Sequence, residues 1–455
     1  MCSPIQELDE LRKNLPTTFI AGPRLRRAVA TVSIVGLGPV GLTTAVAFAT
    51  QGHQVTGIDI DERRRSEVAR GEPPFYEKGL EGGLKRALRQ KRLKIVDRME
   101  DALRASTIVF LCVGTPSKPD GSLDDGPLRD ATKSVANAWR DGKARTLVVK
   151  STVLPGTVES VVRPVLEAAG VPFRIAVNPE FLREGRALED ALRPDRIVLG
   201  VDRPGTARIL RALYRSVRSP VLVTDVRTAE SVKYATNALL ASKVSLANEL
   251  ANLCDYFGVE YDEVLRGVAL DPRINAQFLV PGVGFGGSCF PKDVRALVAA
   301  GTANGYRPEL FEAVLALNDR QYGRAIALLE KELGDLAGRR IALLGLAFKG
   351  NTDDVRESRA VPIARDLVAR GAMVVGYDPA AMDGFSKLVP DVRRAKSVEE
   401  ALKGADGCIL QADWPAFSRL TAKDFVKLMA SPVVVDGRRI LDPKKMKGVR
   451  FHRIG

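Results

Sequence analysis

ATVSIVGLGPVG, residues 30–41, and QVTGIDI, residues 54–60, together decide the fold. An apolar run breaks into a glycine loop, an apolar helical stretch follows, and a second apolar run ends in Asp59. Gly36, Gly38 and Gly41 make a GxGxxG, a weak signal alone. Here it follows a strand pattern, opens a helix, and precedes an acidic residue 18 positions after Gly41. Gly36 permits the tight turn and Gly38 lets backbone approach a pyrophosphate. Gly41 lets helix and strand pack closely, and Val40 shares the loop. Asp59 would accept hydrogen bonds from an adenosine ribose and repel a 2′-phosphate, which favours NAD over NADP. Arg63 to Arg65 pull the other way, since a nearby arginine can hold that phosphate.

Outward from this unit, STIVFLCVG, RTLVVKST, FRIAVNPEF, DRIVLGV and SPVLVTD alternate with helical stretches. Such βαβα alternation predicts a parallel sheet covered by helices. From Thr228 the period becomes helical for about 30 residues, with Thr228 as N-cap and Gly258 as C-cap. At 1.5 Å per residue this helix is about 45 Å long, the length of a domain bridge or subunit interface. More helix follows through Asn318 and Arg320. At Arg339 strands return: RRIALLGLAFK resembles the opening run and GAMVVGYDP resembles GHQVTGIDI. Gly36 to Asp59 spans 23 positions and Gly345 to Asp378 spans 33, the difference coinciding with the polar insert FKGNTDDVRES. The expected fold is α/β, two Rossmann-like doubly wound domains joined by a helical region. The divisions are an extension at 1–29, a dinucleotide domain at 30–226, a helical dimerisation domain at 227–330 and a second Rossmann-like domain at 331–455.

The chain has 455 residues, 45% of them apolar and 6% aromatic, so aliphatic side chains fill its cores. At roughly 150 residues per domain this length suggests about three domains. No apolar run approaches the roughly 20 residues of a membrane span, and the charged N-terminus lacks a signal peptide's apolar stretch. The expectation is a cytoplasmic protein without a membrane partner. The formal charge of +14 is spread along the chain. Its densest groups, at 63–65 and 85–94, lack interleaved aromatics, so a basic surface or a cleft for a polyanionic small substrate is expected rather than nucleic acid. The five cysteines have no CxxC spacing, which gives neither a disulfide framework nor a metal site. His53 and His452 are the only histidines and neither is placed like a general base.

Cys112, Cys254 and Cys408 read as packed cysteines. Cys289 differs. It lies in VPGVGFGGSCFPKDVRAL, after three nearby glycines at 284, 286 and 287 and just before Pro291, at or near a helix N-terminus. That location and Lys292 are expected to lower its pKa toward a thiolate. A dinucleotide and a thiol together allow a specific chemistry. Hydride leaves an alcohol, the thiolate adds to the aldehyde, a second hydride leaves the thiohemiacetal, and water hydrolyses the thioester. Lys233 and Asn237, four apart on the long helix, share a face and could stabilise an alkoxide-like oxygen. A solvated helix face is the plain alternative. Asp293, four residues after Cys289, is close enough to serve the same centre.

IVGLGPVGL, CVGTPSKPDGSLD, KSTVLPGTV, NPEFLREGRALED, ESVKYATNALLASKVSLANELA, GVGFGGSCFPKDVRAL, GLAFKGNTDDVRES and VDGRRI occur in that order. Over residues 31–441 the chain resembles the UDP-glucose/GDP-mannose dehydrogenase family. The resemblance implies an NAD-dependent four-electron oxidation of a sugar C6 alcohol in a homodimer, without a metal. It implies that Cys289 is the nucleophile and that Lys233, Asn237 and Asp293 surround the reacting oxygen and a water. Thr152 would order that water, and Glu180 and Glu184 would be carboxylates near substrate and water. Phe181 and Leu182 would give backbone contacts to the UDP-sugar. Arg273 would be supplied across the dimer interface, with Phe278 and Leu279 following it; Gly286 and Phe290 flank the sugar. Lys349 and Arg438 would hold the nucleotide. Thr115, Thr152, Glu184, Lys292 and Arg356 resemble NAD contacts, and Arg64 flanks the ribose.

Ser288, Phe290 and the DPRI segment favour the UDP-glucose branch, while STVLPGTV is also reminiscent of the GDP-mannose branch. A UDP-N-acetylhexosamine branch more often has histidine where Ser288 stands. Two departures stand out: Pro39 replaces an aromatic in the first glycine loop, and Asn275 stands where glycine is usual. Two other readings compete with the four-electron enzyme: a two-electron sugar-phosphate dehydrogenase with a structural Cys289, and a sugar-nucleotide-binding sensor.

Overall fold

The computed structural model describes residues 29–454. The expected extension at 1–29, with Cys2, lies outside the described residues except for Val29. The first sheet contains β1 (Thr31–Val35), β2 (Gln54–Ile58), β3 (Leu93–Ile95), β4 (Ile108–Leu111), β5 (Arg145–Val149), β6 (Phe173–Val177), β7 (Ile197–Val201) and β8 (Val221–Thr224). Their order is β3-β2-β1-β4-β5-β6-β7-β8. Alternate residues feed opposite faces. Ile108 and Phe110 join one apolar cluster, while Val109 and Leu111 join the other. Both faces are therefore covered, as a doubly wound sheet requires. Burying a side chain such as Phe110 contributes about 1.5–3 kcal/mol.

The sheet departs from the all-parallel expectation at one seam: β7 runs antiparallel to β6, with Val177 opposite Gly200. The chain between them contains only the short helix Ala187–Leu192 and makes no crossover. It doubles back at the carboxyl ends of the strands, where a doubly wound sheet binds ligands. NPEFLREG lies on that hook, so the antiparallel turn keeps Glu180 and Glu184 above the sheet.

Helix α1 (Pro39–Thr50) follows the glycine loop. Pro39 occupies its first turn, where the missing N–H costs nothing. Gly36 has φ +95°, and a Cβ on Gly41 would lie 1.8 Å from the Gly36 carbonyl oxygen. Helix α2 (Val226–Phe257) has 32 residues and ends at Gly258 with φ +67°. Its N-cap is Asp225, not Thr228. The Asp225 carboxylate accepts the Thr228 N–H at 2.8 Å and the Thr228 hydroxyl at 2.6 Å. One face of α2 buries Lys233, Asn237, Ala241, Asn248 and Ala251. The other leaves Leu239, Leu246, Leu253 and Phe257 exposed. Against α2 pack α3 (Phe290–Ala303) and α4 (Glu309–Gln321).

The second sheet is wholly parallel. It comprises β9 (Arg340–Leu344), β10 (Met373–Tyr377), β11 (Arg393–Arg394), β12 (Gly407–Leu410), β13 (Val433–Asp436) and β14 (Arg450–Arg453). The order β11-β10-β9-β12-β13-β14 repeats that of the first six strands. Gly345, with φ +93°, repeats the turn of Gly36. Asp378 repeats the position of Asp59 but is saturated internally. Its carboxylate accepts the N–H groups of Leu346, Ala347, Ala380 and Ala381 and the Trp414 indole. Helix α5 (Ala360–Ala369) starts only after the insert at 348–358. That insert is a keystone. The Tyr76 N–H of the first domain donates to Asp353, Arg295 of α3 binds Glu357, and the Gly287 N–H donates to the Arg356 carbonyl.

Candidate active site

Cys289 caps α3, and the segment before it is pressed against the insert. A Cβ on Gly286 would meet the Glu357 carbonyl oxygen at 2.2 Å, and one on Gly287 the Phe348 ring at 2.7 Å. The glycines thus bring the thiol loop against the second domain. α2 delivers Lys233 and Asn237 to the same place, one turn apart. Lys233 Nζ is 2.9 Å from Glu180 Oε1, both side chains being nearly fully buried at 5% and 7% exposure. Asn237 Nδ2 donates to Asp293 Oδ2 at 2.6 Å, and Lys292 Nζ to Asp293 Oδ1 at 2.5 Å. The Leu182 N–H donates to the other oxygen of Glu180 at 2.6 Å.

Electrostatics set the protonation states. Burial pushes Glu180 up, but the Lys233 ammonium outweighs it and holds the carboxyl below its ordinary range. Burial likewise pulls Lys233 down, yet the Glu180 carboxylate keeps the ammonium above its ordinary value. Burial pushes the Cys289 thiol up to about 11, partly offset by Lys233. The expected low-pKa thiolate is therefore corrected: the resting thiol is protonated. Lys292 is committed to Asp293, and Lys233 is the cation that most offsets burial at the sulfur. Burial, with Asp354 nearby, pushes Glu184 up to about 7. Ser288 Oγ donates to Glu184 at 3.0 Å and lies 3.6 Å from Cys289 Sγ.

The other expected residues divide. Thr115 Oγ1 donates to the Thr152 carbonyl at 2.8 Å, joining two loops above the first sheet. Arg356 makes a bidentate pair with Asp354 and reaches Glu184 at 3.8 Å. Phe290 packs with Phe278 and Phe285, and Leu279 is buried beside them, its carbonyl accepting from Tyr261. Burial lowers the pKa of Lys349, while Glu184, Asp413, Glu77 and Cys289 raise it. The Arg438 guanidinium donates to the carbonyls of Gln411, Gly284 and Phe348, so it clamps the central region to the second domain. Arg273 stands apart: its side chain is 86% exposed and paired with Asp271, away from its own chain's centre.

Three contributors went unread in the sequence. Lys150, buried at the end of β5, donates to Asn178 Oδ1 at 3.0 Å; burial lowers its pKa and Glu180 is among the groups raising it. Glu230 accepts the N–H groups of Gly156 and Val158 and so anchors the loop after Thr152. The Arg196 guanidinium lies 3.8 Å from the Phe181 ring centre. A charged residue within or beside an apolar run was the available signal in RTLVVKST. The two histidines are structural. His53 bridges Ala30 and the Leu213 carbonyl, its pKa lowered by burial, and His452 meets Glu332.

The glycine loop fits a dinucleotide. A Cβ on Gly38 would meet nothing within 4 Å, so its open side can take a phosphate. α1 has neither a side-chain cap nor an acidic residue in its first turn, leaving its N-terminus for an anion. Asp59 is held by the Leu37 N–H at 2.6 Å and by Arg64 at 3.1 Å. Among the described residues no cluster of three metal-ligating side chains occurs, and no helix is long and apolar enough to cross a membrane.

A dinucleotide loop above one sheet, a cysteine and a buried lysine–carboxylate pair at its edge, and a second Rossmann-like sheet closing over them define a dinucleotide-linked dehydrogenase of a large substrate. The family descriptions agree. The NAD-binding domain of the UDP-glucose/GDP-mannose dehydrogenase family matches residues 30–218, its central domain residues 227–320 and its UDP-binding domain residues 342–443. UDP-glucose 6-dehydrogenase AglM of Haloferax volcanii is 42% identical over 421 residues, 90% of this chain and 97% of that protein. The structure of a UDP-glucose dehydrogenase from Pyrobaculum islandicum superposes with a TM-score of 0.89 at 42% identity, covering 95% of this chain and 99% of that one. That of a UDP-D-ManNAc dehydrogenase from Pyrococcus horikoshii gives 0.81 at 30% identity, covering 93% and 99%. The chain belongs to the UDP-glucose/GDP-mannose dehydrogenase family, and it is a nucleotide-sugar 6-dehydrogenase with NAD as its cofactor.

Proposed function

We propose that this protein oxidises the C6 alcohol of UDP-glucose to the carboxylate of UDP-glucuronate, through a thiohemiacetal and a thioester on Cys289. The observation that carries this reading is the convergence of the half-buried Cys289 thiol, the Lys233–Glu180 pair and the Asn237–Asp293 pair. Gly36, Gly38, Val40, Gly41, Asp59 and Thr115 would hold NAD, which accepts a hydride at each oxidation. Lys233 and Asn237 stabilise the oxygen that carries charge as hydride departs. The Cys289 sulfur traps the aldehyde, so it need not be released. Asp293, held by Asn237 and Lys292, would sit beside the reacting oxygen and the hydrolytic water. Glu180 keeps Lys233 charged throughout. Phe181, Leu182, Phe290, Lys349 and Arg438 would contact the sugar nucleotide.

A homodimer completes the proposal. The apolar stripe Leu239, Leu246, Leu253 and Phe257 on α2 supports it, and a partner would bring the exposed Arg273 to the neighbouring site. Residues 30–226 would then serve the dinucleotide, 227–330 the dimer and 331–455 the sugar nucleotide, in a cytoplasmic enzyme. The second reading, a UDP-N-acetylmannosamine substrate, draws on the Pyrococcus relative; Ser288 before the nucleophile favours UDP-glucose. The test is NADH formation and acid identification with UDP-glucose, UDP-N-acetylmannosamine and GDP-mannose. Two NADH per UDP-glucose, with the highest kcat/KM of the three, is expected. A clear preference for another sugar overturns the assignment.

A further inference from the structure

The Cys289 thiol is protonated at neutral pH, so its proton must be removed for the sulfur to attack. Its neighbours from α2 do not take it: Lys233 is an ammonium paired with Glu180, and Asn237 is an amide. On α3, Asp293 is already bound by Asn237 and Lys292. Ser288 is different. Its single hydrogen is directed at Glu184 Oε1, 3.0 Å away, which leaves its oxygen as the acceptor for the thiol 3.6 Å away.

The geometry points to Ser288 as a catalytic proton relay that passes the Cys289 proton to Glu184 as the sulfur attacks. The S–H bond breaks toward Ser288 Oγ while the Ser288 hydrogen moves to Glu184. The C–S bond forms to the substrate aldehyde, and the carbonyl π pair goes to the oxygen beside Lys233. No electron leaves the system; Glu184 ends as a carboxylic acid. The inference rests on Cys289 being the nucleophile.

Energetics select concerted transfer. The thiol sits at about 11 and Glu184 at about 7, so full transfer before attack would be strongly uphill. A thiol of high pKa is also the more intrinsically nucleophilic once its proton leaves. Glu184 is tuned by the groups facing it. Burial and Asp354 raise it, whereas Arg356, the Ser288 hydroxyl and Lys349 lower it; Thr352 Oγ1 touches its second oxygen at 3.4 Å. It is therefore a carboxylate, able to accept the proton, above roughly neutral pH.

Iodoacetamide alkylation of Cys289 in the full-length protein, followed by mass spectrometry from pH 5.5 to 9, reads the sulfur without sugar or dinucleotide. A wrong substrate assignment leaves this measurement untouched. In the wild type the rate should rise through about pH 7 with Glu184 and then level. In Ser288→Ala it should fall at least tenfold at pH 7.5 and keep climbing with pH, following the free thiolate. Glu184→Gln should give the same profile and the double variant no further loss; Ser288→Thr should restore the plateau. Glu184→Gln and Ser288→Thr also test the relay if Ser288→Ala does not fold. A wild-type profile in Ser288→Ala or in Glu184→Gln overturns it, as does a purely additive double variant.

Discussion

Lys233→Met removes one charge from a buried pair of opposite sign and leaves Glu180 without its 2.9 Å partner. Breaking such a pair costs about 3–5 kcal/mol, because the remaining charge is stranded away from water. The pH dependence follows from Glu180. In the wild type its folded carboxyl lies below the ordinary range, so it contributes stability above the unfolded pKa of about 4.3 and loses it as pH falls through the folded value. In the variant, burial prevails and raises the folded carboxyl, so the penalty is full above that raised value and fades as pH falls. The difference between the two proteins should be largest at pH 8 and shrink steadily toward pH 5. Glu180→Gln/Lys233→Met should recover most of the lost stability by removing the stranded charge. It should not recover activity: loss of one oxyanion partner lowers kcat about 10²–10³-fold, and both variants lack it. Thermal unfolding midpoints at pH 5, 6.5 and 8, with single-turnover NADH formation, provide the assay. A stability gap that is constant with pH, or a double variant no more stable than Lys233→Met, would refute the reasoning.

Cys289→Ser should lose steady-state acid production while still binding NAD, measured as acid product and NADH per sugar; near-normal output with two NADH per sugar would sink the covalent route. Asp59→Ser should raise the kcat/KM ratio of NADP to NAD, because the carboxylate no longer repels a 2′-phosphate; an unchanged ratio would mean that Arg64 already decides it. Leu246→Glu with Leu253→Glu should yield a monomer by sedimentation, with activity lost along with Arg273 of the neighbour; a fully active monomer excludes a shared site. Asp225→Ala should destabilise the start of α2 by about 1 kcal/mol, the ordinary worth of an N-cap, read as a lower melting midpoint.

The parts legible in the sequence are those where period and chemistry coincide. Gly36, Gly38, Gly41 and Asp59 have one spacing and one physical meaning, and α2 is long enough for its period to be unmistakable. The reversal at β7 was not legible, because strand direction depends on where the connecting chain travels, and DRIVLGV looks the same either way. Asp225 was hidden in the tail of a strand; the hydroxyl of Thr228, read as the cap, is itself bonded to it. Lys150 and Glu230 act on partners far along the chain, so no local motif marks them. The Cys289 pKa went astray for the same reason: the helix end and Lys292 are local, whereas burial and Lys233 arrive through folding. Arg438 is present where the family motif predicts it, but the three carbonyls that occupy its guanidinium come together only through folding.

Asp59 and Asp378 occupy equivalent positions in two copies of one architecture, yet they differ in what holds them. Among the described residues, Asp59 is held by the Leu37 and Asp61 N–H groups and by the side chain of Arg64, which is 36% exposed and so open to replacement by a ribose hydroxyl. Asp378 is enclosed by four backbone amides and an indole, none of which can leave without unmaking the turn. The second copy has thus turned a receptor group into internal scaffolding. Converting it back into a dinucleotide receptor would call for unlocking Asp378, with Trp414 and the 348–358 insert as the first obstacles, rather than for adding any ligand-binding residue.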